Sequence, residues 1–276
     1  MDGSQLRVKF WGVRGSVPVS GSPFHRYGGN TACVEVRCGQ HTVIFDGGSG
    51  LAPAGAHFVA GGSSETTVLF THFHYDHIIG MPFFLPIYYP GNRVTLWSGH
   101  MAGKMTTRQM FQQLMSPPWF PVQPDLCDAK MGFRDFKSGD VLHPYEGVTI
   151  RTGSLNHPGG CIGYRLEYGG RAFAMISDTE HVEGVLDPVV LDLIAGADLV
   201  VYDCMYVDSE FEKFRGFGHS TWSQGVRLCE AASAKRLAIY HHHPMRDDVA
   251  LDEIEIEARR KFAGAFVARD YQEMEL

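Results

Sequence analysis

The chain has 276 residues, 44% of them hydrophobic and 20% charged, and a formal net charge of −7. That length allows one large domain or two small ones around a substantial core, and the composition is that of a soluble globular protein. The negative charge argues against broad nonspecific nucleic-acid binding, which needs Lys and Arg to neutralise phosphates, although a local basic pocket stays open.

In chain order, Leu6 to Trp11 alternates as a strand and runs into a glycine-punctuated loop, Gly12 to Pro18. Ala32 to Cys38 alternates again, and Gly39-Gln40 turns it into Thr42 to Phe45, a hairpin pattern. Asp46-Gly47-Gly48 follows at the strand end, ordinary turn chemistry on its face. Thr67 to Phe70 is an apolar run that reads as a buried strand, and directly after it come His72, His74, Asp76 and His77. Strand alternation places His72 and His74 on one side, with Asp76 and His77 on the turn beyond. Two imidazoles at one point, with a carboxylate and a third imidazole nearby, is what a pair of metal ions needs. A lone histidine on an apolar face would more simply be a core residue.

Residues 92–146 depart from this alternation. Met101 to Met115 has the apolar spacing of an amphipathic helix, and the proline-rich Ser116 to Pro124 cannot be a regular helix or a central strand. The expectation is a Pro-, Met- and aromatic-rich insertion at about 100–145, lying over one rim of the sheet. Its Trp119 and Phe120 could line a substrate cavity, form a subunit interface such as that of a homodimer, or make a satellite cluster. Strand signals resume at Val148 to Thr152, which leads to His157. Cys161 to Tyr168 and Arg171 to Ile176 are joined by Gly169-Gly170, a hairpin turn, and Asp178 closes the second strand. His157 and Asp178 thus stand at strand ends, where loops collect functional groups on a rigid scaffold. Asp187 to Ala195 suits a short helix and Asp198 to Asp203 a buried strand. Ser223 to Ala234 reads as a helix with Gln224, Arg227 and Glu230 outward. The strand Arg236 to Tyr240 ends in His241-His242-His243. A helix from Leu251 to Phe262 carries a solvated charged face, and Ala265 to Arg269 is a last strand.

Six cysteines (Cys33, Cys38, Cys127, Cys161, Cys204 and Cys229) are scattered without CxxC spacing, which suggests buried reduced thiols. No apolar run approaches the roughly 20 residues that span a bilayer. The stretch from Met1 to Leu6 lacks the basic and apolar regions of a signal peptide. A cytoplasmic protein with no membrane partner is expected.

The run His72-x-His74-x-Asp76-His77, flanked by Thr71 and Gly80, resembles the signature of the metallo-β-lactamase-fold hydrolases. Gly218-His219-Ser220-Thr221, preceded by Asp203, resembles the catalytic-histidine motif of their ribonuclease Z-like and phosphodiesterase branch. The likeness follows the family's order over nearly the whole chain. It implies a single domain over residues 1–276 with the α/β metallo-β-lactamase fold, a four-layer αβ/βα sandwich of two mixed β-sheets with external helices. By the same resemblance, His72, His74 and His157 hold one metal, Asp76, His77 and His241 the other, and Asp178 bridges them. Strand alternation would point His243 the same way as His241, but the family ligand stands first after the strand. Asp46 is implied to lie beneath the metal loop and to hold its backbone or its ligands. Arg14 would either face substrate anions or serve its turn. The ligand types suit two divalent ions, Zn²⁺ foremost, with Mn²⁺ or Fe²⁺ as alternatives.

The implied activity is a dinuclear metal-dependent phosphodiesterase acting on a small phosphodiester such as a cyclic nucleotide. A metal-bridging hydroxide would attack, with Asp76 among the catalytic groups. His219, oriented by Asp203, would help expel the alkoxide; its bland alternative is a helix-entry residue beside a Ser220 or Thr221 cap. An aspartate at 178, where two-metal lactamases typically carry cysteine, favours the phosphodiesterase branch. The tight hairpin between His157 and Asp178 leaves no room for the long arm of tRNA-processing members, which with the acidic charge sets pre-tRNA aside. Two rivals stand: hydrolysis of a carboxylic ester, lactone or thioester, and a non-catalytic metal-bound binding or carrier module.

Overall fold

Along Leu6–Gly12 (β1) the residues Leu6, Val8 and Phe10 point to one face and are fully buried, while Trp11 points to the other. The same period of two runs through Cys33–Cys38 (β2), where Val34, Val36 and Cys38 share the inner face and Cys33 lies outside. The computed structural model describes residues 5–62 and 65–276. Residues 1–4, part of the stretch read as lacking a signal peptide, lie outside the described residues.

Two mixed sheets follow from this patterning. The first adds His41–Phe45 (β3), Glu65–Phe70 (β4), Arg93–Ser98 (β5) and Lys130–Asp135 (β6). The second holds Val141–Leu142 (β7), Thr149–Leu155 (β8), Cys161–Tyr168 (β9), Arg171–Ile176 (β10), Leu199–Asp203 (β11), Leu237–Tyr240 (β12) and Ala265–Val267 (β13). The C-terminal Glu273–Glu275 (β14) returns to the first sheet beside β1. The orders are β14-β1-β2-β3-β4-β5-β6 and β13-β12-β11-β10-β9-β8-β7. Each sheet is antiparallel in one half and parallel in the other, β3 to β6 and β10 to β13.

The inner faces meet in a core that includes Val8, Phe45, Tyr164, Phe173, Val201 and Tyr240. Burying each such side chain is worth roughly 1.5–3 kcal/mol. Outside the first sheet, Leu51–Ala60 (α1) and Thr107–Leu114 (α3) cover a second cluster, while the single turn Tyr75–Ile78 (α2) lies at the sheet's end. Outside the second sheet, Pro188–Ile194 (α4), Trp222–Ala231 (α6) and Asp248–Lys261 (α7) cover a third. A short helix, Asp208–Phe211 (α5), precedes α6. Helices outside and two sheets inside are the four layers expected. Among the described residues no helix is long and apolar enough to cross a membrane. The six cysteines are all free, and only Cys127 is partly exposed.

Several elements differ from the sequence reading. Residues 92–146 contribute two full strands: β5 pairs with β4, and β6 pairs with β5 as the sheet edge. β6 escaped notice because an edge strand buried on few sides carries little apolar alternation. The helix expected from Met101 starts only at Thr107, because Thr106 caps it in a capping box with Gln109. Gln224, expected outward on α6, is buried; its amide donates to the Val185 carbonyl and its oxygen accepts from Arg227. β4 ends at Phe70, so His72 and His74 stand on a loop and not on a strand.

Candidate metal centre

Parallel strands end on the same edge of a sheet, and the edge where β3, β4, β10, β11 and β12 end is where the ionisable side chains gather. Asp46 follows β3, His72 and His74 follow β4, Asp178 follows β10, Asp203 ends β11 and His241 follows β12. Asp76 and His77 lie in α2, with His74 as its N-terminal cap residue, and His157 lies two residues beyond β8. Asp46, Asp178 and His241 each have a positive φ, of 64°, 54° and 60°. Left-handed backbone at a residue other than glycine costs of order 1 kcal/mol, and such strain gathers at functional sites.

Two groups of donors form. In the first, His74 Nδ1 lies 2.8 Å from His72 Nε2 and 3.1 Å from His157 Nε2. In the second, His77 Nε2 lies 3.3 Å from Asp76 Oδ2 and from Asp178 Oδ1. His241 Nε2 stands 3.2 Å from each of the same oxygens. Asp178 belongs to both: its Oδ2 is 3.6 Å from His72 Nε2 and 3.8 Å from His157 Nε2.

Three of the outer nitrogens are already engaged. His77 Nδ1 donates to Asp46 Oδ2 at 2.8 Å, and His157 Nδ1 donates to the Gly218 carbonyl at 2.8 Å. His72 Nδ1 is 3.1 Å from Thr71 Oγ1. These bonds fix tautomers that turn Nε2 lone pairs inward, as outer partners of metal-bound histidines do. Three imidazole nitrogens then face one another, and a proton placed between two of them leaves the third unsatisfied. A cation satisfies all three, and the N₃ and N₂O₂ donor sets suit borderline divalent ions. The buried groups are therefore consistent with a dinuclear metal site.

Electrostatics agree. Burial first, then neighbouring positive charge, pushes His72 well below its ordinary range, and burial likewise lowers His74 and His157, leaving neutral imidazoles. Burial opposes ionisation of Asp178, yet His241, His77 and His72 hold its carboxyl well below the usual range. Burial would lower His77 too, but Asp178, Asp76 and Asp46 raise it well above 6.5.

Asp46 does what the resemblance implies: its Oδ1 accepts from Thr71 N at 2.7 Å while its Oδ2 holds His77. His219 and Asp203 come together, with His219 Nδ1 2.9 Å from Asp203 Oδ2. Burial would lower His219, but Asp203 outweighs it and raises the imidazole to about 9. Asp178, Asp203, His219 and His241 also lie close enough to hold an ion together. Asp203 is spent elsewhere, however: Oδ2 accepts from Thr179 N as well as His219, and Oδ1 accepts from Met205 N. A His–Asp pair is the better description.

Arg14 does not face the site. Its guanidinium is fully buried and donates to the carbonyls of Gly28, His243 and Arg246, so the turn reading holds. The same loop does reach the centre by backbone, with Ser16 N donating to Asp76 Oδ2 at 2.6 Å. Sequence reasoning gave no role to Ser16, to the Gly218 carbonyl or to His100. A glycine directly before a candidate histidine was the available signal for Gly218; nothing marked the other two. Trp119 lines a cavity beside His72 and His74, whereas Phe120 packs on Phe83 in the outer cluster.

Residues 41–242 match the family model described as "Beta-lactamase superfamily domain". A ribonuclease Z of Nocardia farcinica is 24% identical, the comparison covering 85% of this chain and 88% of that protein. The metallo-β-lactamase-fold protein YhfI of Bacillus subtilis superposes with a TM-score of 0.74 at 18% identity, over 99% of this chain and all of YhfI. A diphosphatase of the PhnP family superposes at 0.69 and 18%, over 99% and 97%.

Proposed function

This chain belongs to the β-lactamase superfamily, distantly related to ribonuclease Z and PhnP proteins, and from that premise we propose that it is a dinuclear metal-dependent phosphodiesterase acting on a small phosphodiester such as a cyclic nucleotide. The observation that carries the reading is Asp178, whose two oxygens face two different histidine groups.

His72, His74 and His157 would hold one ion, Asp76, His77 and His241 the other, and Asp178 would bridge, with Zn²⁺ foremost and Mn²⁺ or Fe²⁺ as alternatives. Bound there, the ions would activate water and polarise the phosphoryl oxygens. The chain's own contribution is orientation. Asp46, Thr71 and the Gly218 carbonyl hold three imidazoles with Nε2 inward before any ion arrives. Asp203 holds His219 by Nδ1, which leaves Nε2 as the proton carrier. The His219 ring lies 5.1 Å from that of His241 and 5.4 Å from that of His157, centre to centre, within reach of a leaving oxygen at the cluster.

A small substrate suits the connection between His157 and Asp178, which is filled by the β9–β10 hairpin turning at Gly169-Gly170. Among the described residues no long arm extends there to grasp a pre-tRNA. The test is parallel assay of the metal-loaded protein on bis-p-nitrophenyl phosphate and p-nitrophenyl acetate. The expected result is metal-dependent turnover of the phosphodiester that greatly exceeds that of the acetate. Preference for the acetate would favour acyl chemistry, and turnover of neither would favour a carrier module.

A further inference from the structure

One cavity beside the histidine cluster takes no part in the chemistry above. It has a volume of about 350 Å³ and opens next to His72 and His74. That is near the lower end of the roughly 300–1,000 Å³ of small-molecule sites. Phe73, Tyr75, Met101, Met105 and Trp119 form much of its wall. Tyr75 and Trp119 are 73% and 76% exposed, so two large aromatic faces stand in water at a concave surface. Folding gains little from leaving them there. Among the described residues that line the cavity, none is Lys, Arg, Asp or Glu. A second phosphate or a nucleic-acid backbone would want cations at this wall.

Besides His72 and His74, the polar side chains of His100 and Gln113 interrupt the apolar lining. The His100 ring meets Phe73 in a T-shaped contact, with centroids 4.3 Å apart at 82°, and its buried Nδ1 has no hydrogen-bond partner. A buried polar atom left unpaired is costly unless a ligand satisfies it. An alkyl chain would leave it unpaired; a flat ring with a polar edge would not. Thioether and aromatic walls also favour a ring, through sulfur–aromatic and stacking contacts.

We propose that this cavity is a specificity subsite for an uncharged heteroaromatic ring of the nucleobase kind, carried by the substrate whose phosphodiester lies at the histidine cluster. Trp119 and Tyr75 stack on its faces and His100 pairs with its edge. The proposal rests on the phosphodiesterase reading for its substrate, but the subsite can be tested apart from turnover.

Free adenosine carries no phosphate and serves as the probe, titrated by calorimetry into the full-length, metal-loaded protein. Saturable binding is expected, weakened at least about ten-fold by Trp119→Ala, the size typical of a lost base–aromatic stack. His100→Leu should weaken it similarly, whereas His100→Gln, which keeps a polar edge, should recover part of the loss. Adenosine should also raise the KM for bis-p-nitrophenyl phosphate without changing kcat. Absence of adenosine binding overturns the proposal, as does tighter binding of 1-octanol that His100→Leu improves, since that marks an alkyl pocket. If adenosine binds but no phosphodiester is cleaved, the subsite stands and the phosphodiesterase reading fails.

Discussion

Gly218→Ala adds one methyl group and should disturb the metal centre out of proportion to its size. A Cβ at Gly218 would lie 2.3 Å from His157 Nδ1 and 2.4 Å from Pro158 Cδ, on a backbone with φ of +88°. The left-handed conformation alone costs an L residue about 1–2 kcal/mol. The clash must also be relieved, and an ordinary contact of about 3.5 Å requires the imidazole to retreat by roughly 1 Å. That retreat breaks the 2.8 Å bond from His157 Nδ1 to the Gly218 carbonyl and shifts Nε2 from its place 3.1 Å from His74 Nδ1. Metal sites tolerate errors of only about 0.2 Å. Losing an outer partner of a ligand typically costs about 10–100-fold in metal affinity. The expected outcome is therefore one weakened metal equivalent and one near normal, because Asp76, His77 and His241 do not touch Gly218. Competition against a chromophoric chelator reads the two steps separately. Gly216→Ala is the control: its φ is +91° but nothing lies within 4 Å of its Cβ, so it bears the backbone cost without the clash. Wild-type affinity for both ions in Gly218→Ala, or equal losses in the two variants, would refute the assignment of His157 to a metal.

If Asp178 joins two ions, Asp178→Ala removes activity and at least one metal equivalent together; elemental analysis showing two ions in an active variant would refute the bridge. His219→Ala should keep both metals and lose about 10²–10⁴-fold in kcat on a diester with an alkoxide leaving group. It should lose less on bis-p-nitrophenyl phosphate, whose nitrophenolate needs little protonation, and equal losses would point to a phosphate contact instead. Asp270 is pushed up to about 7, by burial first and against its hydrogen bonds from Asn30 and Gly29 and the charge of Arg14. A folded value above the unfolded 3.8 means that the contribution of this group to stability is greatest below pH 3.8 and is lost as pH rises towards 7. Urea unfolding of wild type against Asp270→Asn should move in the variant's favour across that window, by up to roughly 4 kcal/mol; a flat difference refutes it.

The sheets were legible because their strands read either as alternating stretches, as in β1 and β2, or as short apolar runs buried on both faces, as in β4 and β11. β6 was not, since an edge strand need not alternate. Arg14 and Gln224 show a different limit: the partners that bury them, three carbonyls in one case and Val185 in the other, come from distant parts of the chain. Gly218 acts on a residue 61 positions away, and its place directly before His219 is the one local hint of such an approach.

Which side chains gather at the centre was legible, but not what gathers them. Alternation along a strand was to bring His72 and His74 together, yet the strand has already ended and the loop does it, held by Asp46 through Thr71 N. At the other end, alternation could not separate His241 from His243. The backbone does: at φ of 60° His241 leaves the strand's period, and its Nε2 enters the group formed by Asp76, His77 and Asp178. His242 Nε2 goes to the Ala268 carbonyl, and His243 turns to the Tyr206 ring. Three adjacent histidines thus take three different surroundings. A left-handed histidine is a poor local choice, tolerated where its side chain is needed at one point, and that strain separates His241 from its neighbours better than any periodicity does.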